Sequence, residues 1–145
     1  MEQTRAAYHA LDTTLAKFMP VAQRMVLTSQ LAGEEAEGIA QSVNAIAKVI
    51  AEMPETYQTE GQCGSALVHL HYFIGSVEAW IVEKDRGDPD NGDTSQTQAY
   101  GLVTLTGNVE DGEIGYVNIE ELVAAGAELD LYWTPKTLDQ VQEQK

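Results

Sequence analysis

The chain has 145 residues, 43% hydrophobic and 21% charged, which suits one self-folding domain and excludes a disordered tail too poor in apolar side chains to offset chain entropy. Asp and Glu number 23 against 8 Lys and Arg, a formal charge of -15, and the part from Glu78 onward holds 15 of the acids and 4 of the bases. Without a basic cluster to displace counterions from phosphates, direct nucleic-acid binding is argued against, and such a field repels anionic membranes while drawing in basic protein surfaces.

Cys63 is the only cysteine, so no intrachain disulfide is available and an oxidising compartment is not indicated. No apolar stretch follows Met1, and no run nears the roughly 18 residues of a membrane span. A cytoplasmic location without export or membrane insertion is the expectation.

Tyr8, Leu11, Leu15 and Phe18 recur at helical spacing up to Pro20, which predicts a first helix. Val21, Met25, Leu27 and Leu31 predict a second helix, ending at Gly33. Glu34, Glu35 and Glu37 then place negative charge in the first turn of a third, whose stripe of Ile39, Val43, Ile46, Ile50 and Met53 stops before Pro54. That stripe reads as core, with a seam for a partner helix, and hence an adaptor or homodimer, as the alternative.

Residues 55–65, with Gly61 and Gly64, form a linker into period-two sequence. Residues 66–74 alternate, Leu67, His69, His71 and Phe73 on one face against Val68, Leu70, Tyr72 and Ile74. Gly75-Ser76 is a tight turn into a returning strand over 77–84. Residues 85–95 are turn formers with nothing apolar, an exposed and flexible tip. A third strand spans 99–106, and a short one 114–117 follows the Asp111-Gly112 turn. Asn118, with Glu121 three residues on, caps a short helix over 119–125 that ends near Gly126. Residues 128–133 alternate once more with Leu129, Leu131 and Trp133 inward, and Thr134-Pro135 introduces a last helical turn or two. The predicted fold is a single α+β domain over 1–145. Its helical part, 1–54, packs on a small, mostly antiparallel four- or five-stranded sheet in 66–145.

Several stretches carry a resemblance: residues 54–61, His69-Leu70-His71-Tyr72-Phe73, residues 80–85, Ala99-Tyr100-Gly101, residues 113–122 and residues 128–136. Together they resemble small proteins of phages, plasmids and integrative elements, among them possible anti-CRISPR or antirestriction proteins. The likeness covers roughly residues 34–140 and includes an aromatic-Gly pair after the third strand and an acidic Gly-Tyr strand before the capped helix. It brings no catalytic residues with it, and the loop of residues 85–96 is longer than in that pattern.

His69 and His71, two apart on a strand, with Cys63 nearby, are candidate metal ligands, although Cys-x5-His-x-His is no established zinc signature. Packed or hydrogen-bonded histidines are the favoured reading; a small metal-binding module or metal-dependent enzyme is the alternative. Asp88 to Asp93 looks like a calcium loop, but counted from Asp88 its Gly falls at position five and Ala99 at position twelve. Gly-x-Ser-x-Gly, glycine-rich phosphate loops and His-Glu-x-x-His are missing, so the reading is a non-enzymatic protein with no cofactor.

The candidate partner-binding residues are acids. Glu78, Glu83, Asp85, Asp88 and Asp90 lie on the second strand and the loop after it; Glu110, Asp111, Glu113, Glu128 and Asp130 lie further on. Glu128 and Asp130, about 6.7 Å apart on one strand face, can imitate successive phosphate charges. The expected partner is a basic protein surface, namely that of a host nucleic-acid-binding defence complex or nuclease whose channel the acids cover.

Overall fold

The computed structural model describes residues 2–143. Three helices come first: α1 (Glu2–Asp12), α2 (Val21–Gln30) and α3 (Ala36–Glu52). The α3 stripe lies inside the molecule. Val43, Ile46, Ile50 and Met53 are each at most 4% exposed, and burial of such a side chain is worth roughly 1.5–3 kcal/mol. No seam for a partner helix is left on that face.

α1 stops earlier than its spacing suggests. The Thr13 N–H still reaches the His9 carbonyl at 3.0 Å, but Leu15 N–H bonds back five residues to the Ala10 carbonyl and Ala16 N–H only three to Thr13, so the helical ladder gives way to turns, and Pro20 holds Met19 out of helical geometry. Leu15, Phe18 and Met19 still reach the core, but from turns. In α2 only Leu27 is buried, joined by Leu31 just beyond; Val21 and Met25 face solvent at 60% and 67% exposure.

The strands are β1 (Leu67–Val68), β2 (Leu70–Ile74), β3 (Val77–Glu83), β4 (Ala99–Thr104), β5 (Glu113–Val117), β6 (Glu128–Leu129) and β7 (Lys136–Thr137). Five of them form an antiparallel sheet in the order β5-β4-β3-β2-β6, and β1 pairs with β7 apart from it. Helix α4 (Ile119–Ala124) follows β5, and α5 (Leu138–Glu143) closes the described chain. The structure is thus α+β, with its helices leading and a short helix last. Ile74 pairs with Val77 across Gly75-Ser76, and Gly75 takes φ +56°, as a two-residue hairpin requires. Asn118 caps α4 by accepting the Glu121 N–H at 3.0 Å, and Gly126 at φ +90° ends it, with Ala127 N–H bonding back to the Leu122 carbonyl.

Each face of the sheet has its own core. Leu70, Tyr72, Ala79, Ile81 and Ala99 meet the three N-terminal helices, and the buried Tyr72 hydroxyl donates to the Phe18 carbonyl, joining sheet to helical layer. Val68, Trp80, Val82 and Leu102 meet Leu138 and Val141 of α5 on the other face. Val68 therefore does not share a face with Leu70, because the strand is interrupted at His69 and the alternation restarts. The predicted strand over 128–133 ends at Leu129, since Asp130 accepts the Tyr132 N–H at 2.9 Å and turns the chain away. The short edge strand β6 is covered by Gln23, whose side-chain amide donates to the Leu129 carbonyl at 2.8 Å and accepts its N–H at 2.9 Å.

A bulge interrupts β3 and β4: Ile81 pairs with Gly101, yet Glu83 pairs with Tyr100. Strict alternation would place Glu83 beside Ile81 under the helical layer. The extra residue turns it to the opposite face instead. Gly101 permits this, since a Cβ there would stand 2.0 Å from the Trp80 carbonyl oxygen. Gly101→Ala is expected to destabilise the protein by about 1–3 kcal/mol or more. The facing Gly115→Ala, where a Cβ meets nothing within 4 Å, is expected to change stability by well under half as much; chemical denaturation of both variants checks the contrast.

Candidate functional site

The bulge builds the first feature. Glu83 is only 4% exposed, and its carboxylate holds the segment before the sheet: Oε1 accepts the Tyr57 N–H at 2.9 Å, and Oε2 accepts the Thr59 N–H at 2.8 Å together with the Thr59 hydroxyl. Tyr57 and Cys63 are the described non-glycine residues with positive φ, +67° and +50°. Backbone of this kind costs on the order of 1–3 kcal/mol and persists only where its surroundings enforce it. Both residues line a cleft of about 490 Å³ between this segment, the β4–β5 face and α5.

Tyr100 and Tyr116 pair across β4 and β5, edge to face with centroids 5.8 Å apart, and the Tyr116 hydroxyl donates to the Tyr57 hydroxyl at 3.3 Å. The Tyr57 hydrogen bond, then desolvation, then charge on Tyr57 and Glu83, raises the Tyr116 phenol above its ordinary range. Tyr57 and Tyr116 each remain 59% exposed, so aromatic surface stays open to solvent in the cleft.

The second feature centres on His71. Its Nδ1 lies 3.0 Å from Asp130 Oδ2 and its Nε2 lies 2.9 Å from Glu78 Oε1. The ring stacks on Trp80 at 5.4 Å, with Trp133 at 5.1 Å and Phe73 at 5.7 Å. Trp133 is fixed by its indole N–H to the Val68 carbonyl at 2.9 Å, and Lys136 Nζ stands 5.2 Å from the centre of its ring. Both imidazole nitrogens thus face carboxylate oxygens at hydrogen-bond distance, which fills the directions in which a metal ion would bind. His69 sits outside the strands, where burial lowers its pKa below the usual histidine value, and Cys63 lies in a single 3₁₀ turn on the cleft wall. Among the described residues no group of three or more His, Cys, Asp or Glu side chains is placed to hold a metal ion.

The ten acids do not make one face. Four are turned to internal tasks. Glu83 holds residues 57–59, while Glu78 and Asp130 hold His71, so the Glu128–Asp130 pair does not present two parallel charges. Asp85 accepts N–H groups from Gly87, Thr97 and Gln98, and Gln96 ties its backbone down on both sides. The loop expected to be a flexible tip is therefore organised by its own hydrogen bonds, although its apex is exposed.

The remaining six are exposed. Asp88 and Asp90 lie beyond the C-terminal end of β3. Glu110, Asp111 and Glu113 follow β4 at the opposite end of the sheet, where Glu78 and Glu110 line one hollow of about 490 Å³. Glu128 stands at the same end on the other edge strand, paired with Phe73. The tyrosine cleft had no signature in the sequence, because its aromatic rings come from three separated segments and its carboxylate arrives through the bulge. The Ala99-Tyr100-Gly101 and Gly115-Tyr116 pairs were its only legible traces.

No protein-family model, curated protein or solved structure matches the chain. Its likeness to mobile-element proteins rests on the sequence stretches alone. No helix among the described residues is long and apolar enough to cross a membrane.

His71→Phe keeps a ring between the tryptophans but removes the two ring nitrogens that face carboxylates 29% and 25% exposed. A stability loss of about 1–2 kcal/mol is expected after allowing for solvent screening. Adding Glu78→Gln to that variant is expected to recover part of the loss, read by urea denaturation.

Proposed function

We propose that this protein is a non-enzymatic, mobile-element-encoded inhibitor that works in the bacterial cytoplasm. It binds a host-defence nucleoprotein or nuclease, of the kind met by anti-CRISPR or antirestriction proteins, and covers its basic nucleic-acid-binding surface. The observation that carries this reading is the surplus of acids on the sheet half, 15 against 4 bases from Glu78 onward, with two of its lysines turned to internal tasks. Lys84 turns inward and caps the C-terminus of α3, its Nζ donating to the Ile50 carbonyl at 2.6 Å. Lys136 lies against Trp133.

The exposed carboxylates of Asp111 and Glu113, at the end of the sheet where β4 passes to β5, therefore present a negative field to solvent. Such a field accelerates encounter with a basic channel and penalises acidic competitors. The resemblance to phage and plasmid proteins supplies the biological setting. Rigid, hydrogen-bonded loops favour recognition by a preformed surface over folding upon contact.

Added to a restriction enzyme or CRISPR effector that it targets, the protein is expected to abolish DNA binding, with association slowing steeply as salt rises. Asp111→Lys with Glu113→Lys is expected to slow association roughly tenfold or more at low salt and to flatten the salt dependence. If such complexes bind DNA equally well with and without the protein, or if the reversed charges leave association unchanged, the acids only keep the chain soluble.

A further inference from the structure

The tyrosine cleft combines two kinds of wall. One is aromatic and open to solvent, from Tyr57, Tyr100 and Tyr116; the other is anionic, from Glu60, Glu83 and Asp139, and among the described residues neither Lys nor Arg lines it. Glu83 Oε1 accepts a single N–H from the protein and so retains an acceptor site. Ring faces attract cations, and a buried carboxylate such as Glu83 does so more strongly in a half-enclosed space than one on open surface. Electrostatic complementarity therefore specifies a cationic occupant.

The shape of the cation follows from the same walls. A quaternary ammonium has no N–H to offer the carboxylate and phenol oxygens. A lysine ammonium is compact and strongly hydrated, and gives up more hydration than flat rings return. A guanidinium is planar, weakly hydrated and carries five N–H donors, so it can stack on tyrosine while donating to carboxylates.

We propose that the cleft receives an arginine side chain from a basic protein partner, the guanidinium stacking on the tyrosine rings and donating to Glu83 and its neighbouring acids. This rests on the reading of the protein as a binder of basic surfaces and names the place where such a partner is anchored. Anchoring by one buried arginine surrounded by weaker charged contacts is how interface energy is commonly distributed. Neither Asp111 nor Glu113 lines the cleft, so the two surfaces can be tested apart.

The test is an NMR titration of the full chain with a capped Gly-Arg-Gly peptide, and with its lysine and trimethyllysine counterparts, following the ring signals of Tyr57, Tyr100 and Tyr116. Saturable shifts at those rings are expected, with the arginine peptide binding tightest. Tyr116→Ala, at an exposed position on an edge strand, is expected to weaken it roughly twofold to thirtyfold, the range of a cation–π contact. Asp139→Asn removes a wall charge without touching the Glu83 hydrogen bonds, and a weakening of at least twofold is expected there too.

No shifts at millimolar arginine peptide, tighter binding of trimethyllysine, or unchanged affinity in a folded Tyr116→Ala variant each overturn the proposal. Asp111→Lys is expected to leave peptide affinity unaltered. Peptide binding in a protein that protects no nucleic-acid-binding complex upholds the cleft while the functional reading falls. Inhibition without peptide binding removes the cleft alone.

Discussion

Glu83 is the hinge between the sheet and everything laid on its second face. One extra residue in β3 turns this carboxylate out of register, and the absence of a side chain at Gly101 lets the two strands close over the irregularity. Once turned, the carboxylate is buried, and three donors from residues 57–59 surround it. A buried carboxylate would be costly if left bare, so the segment that supplies those donors is held in backbone geometry it would not otherwise adopt. The cleft, its tyrosine walls and the position of Cys63 all follow from that one requirement.

The other polar cluster is satisfied in a similar way. His71 would be an awkward side chain between two tryptophans, but Asp130 and Glu78 take up its nitrogens, and the neighbouring backbone is used as well, with Asp130 N–H bonding to the His71 carbonyl at 2.9 Å. This arrangement locks the turn after β6 onto β2 and brings Trp133 over the second core. Two cores on opposite faces thus share one sheet, and carboxylates toward both ends of its second face are committed to architecture. Acids that look alike in the sequence therefore divide into structural ones and those left at the surface.

Much of the fold was legible because it is written in local periodicity and local chemistry. The α3 stripe, the Gly75-Ser76 hairpin and the Asn118 cap each depend on residues a few positions apart. What was not legible depends on distant partners. The end of α1 is decided by the turns that carry Leu15 and Phe18 into the core ahead of Pro20, the exposure of Val21 and Met25 by which side of α2 meets its neighbours, and β7 by a two-residue pairing with β1. Of the candidate acids, Glu83 and Asp130 were mistaken for surface because their partners lie 24 to 59 residues away. The histidine pair reads as a ligand set only on an unbroken strand, and the strand breaks at His69.

The central claim is that the bulge-directed Glu83 carboxylate organises residues 55–65 and so shapes the cleft. Amide hydrogen exchange at Tyr57 and Thr59 tests it most directly. In the native chain these two amides should be protected, and in Glu83→Ala they should exchange at least tenfold faster while amides in the centre of β3 and β4 keep their protection. Equal exchange of Tyr57 and Thr59 in the two proteins would contradict the account.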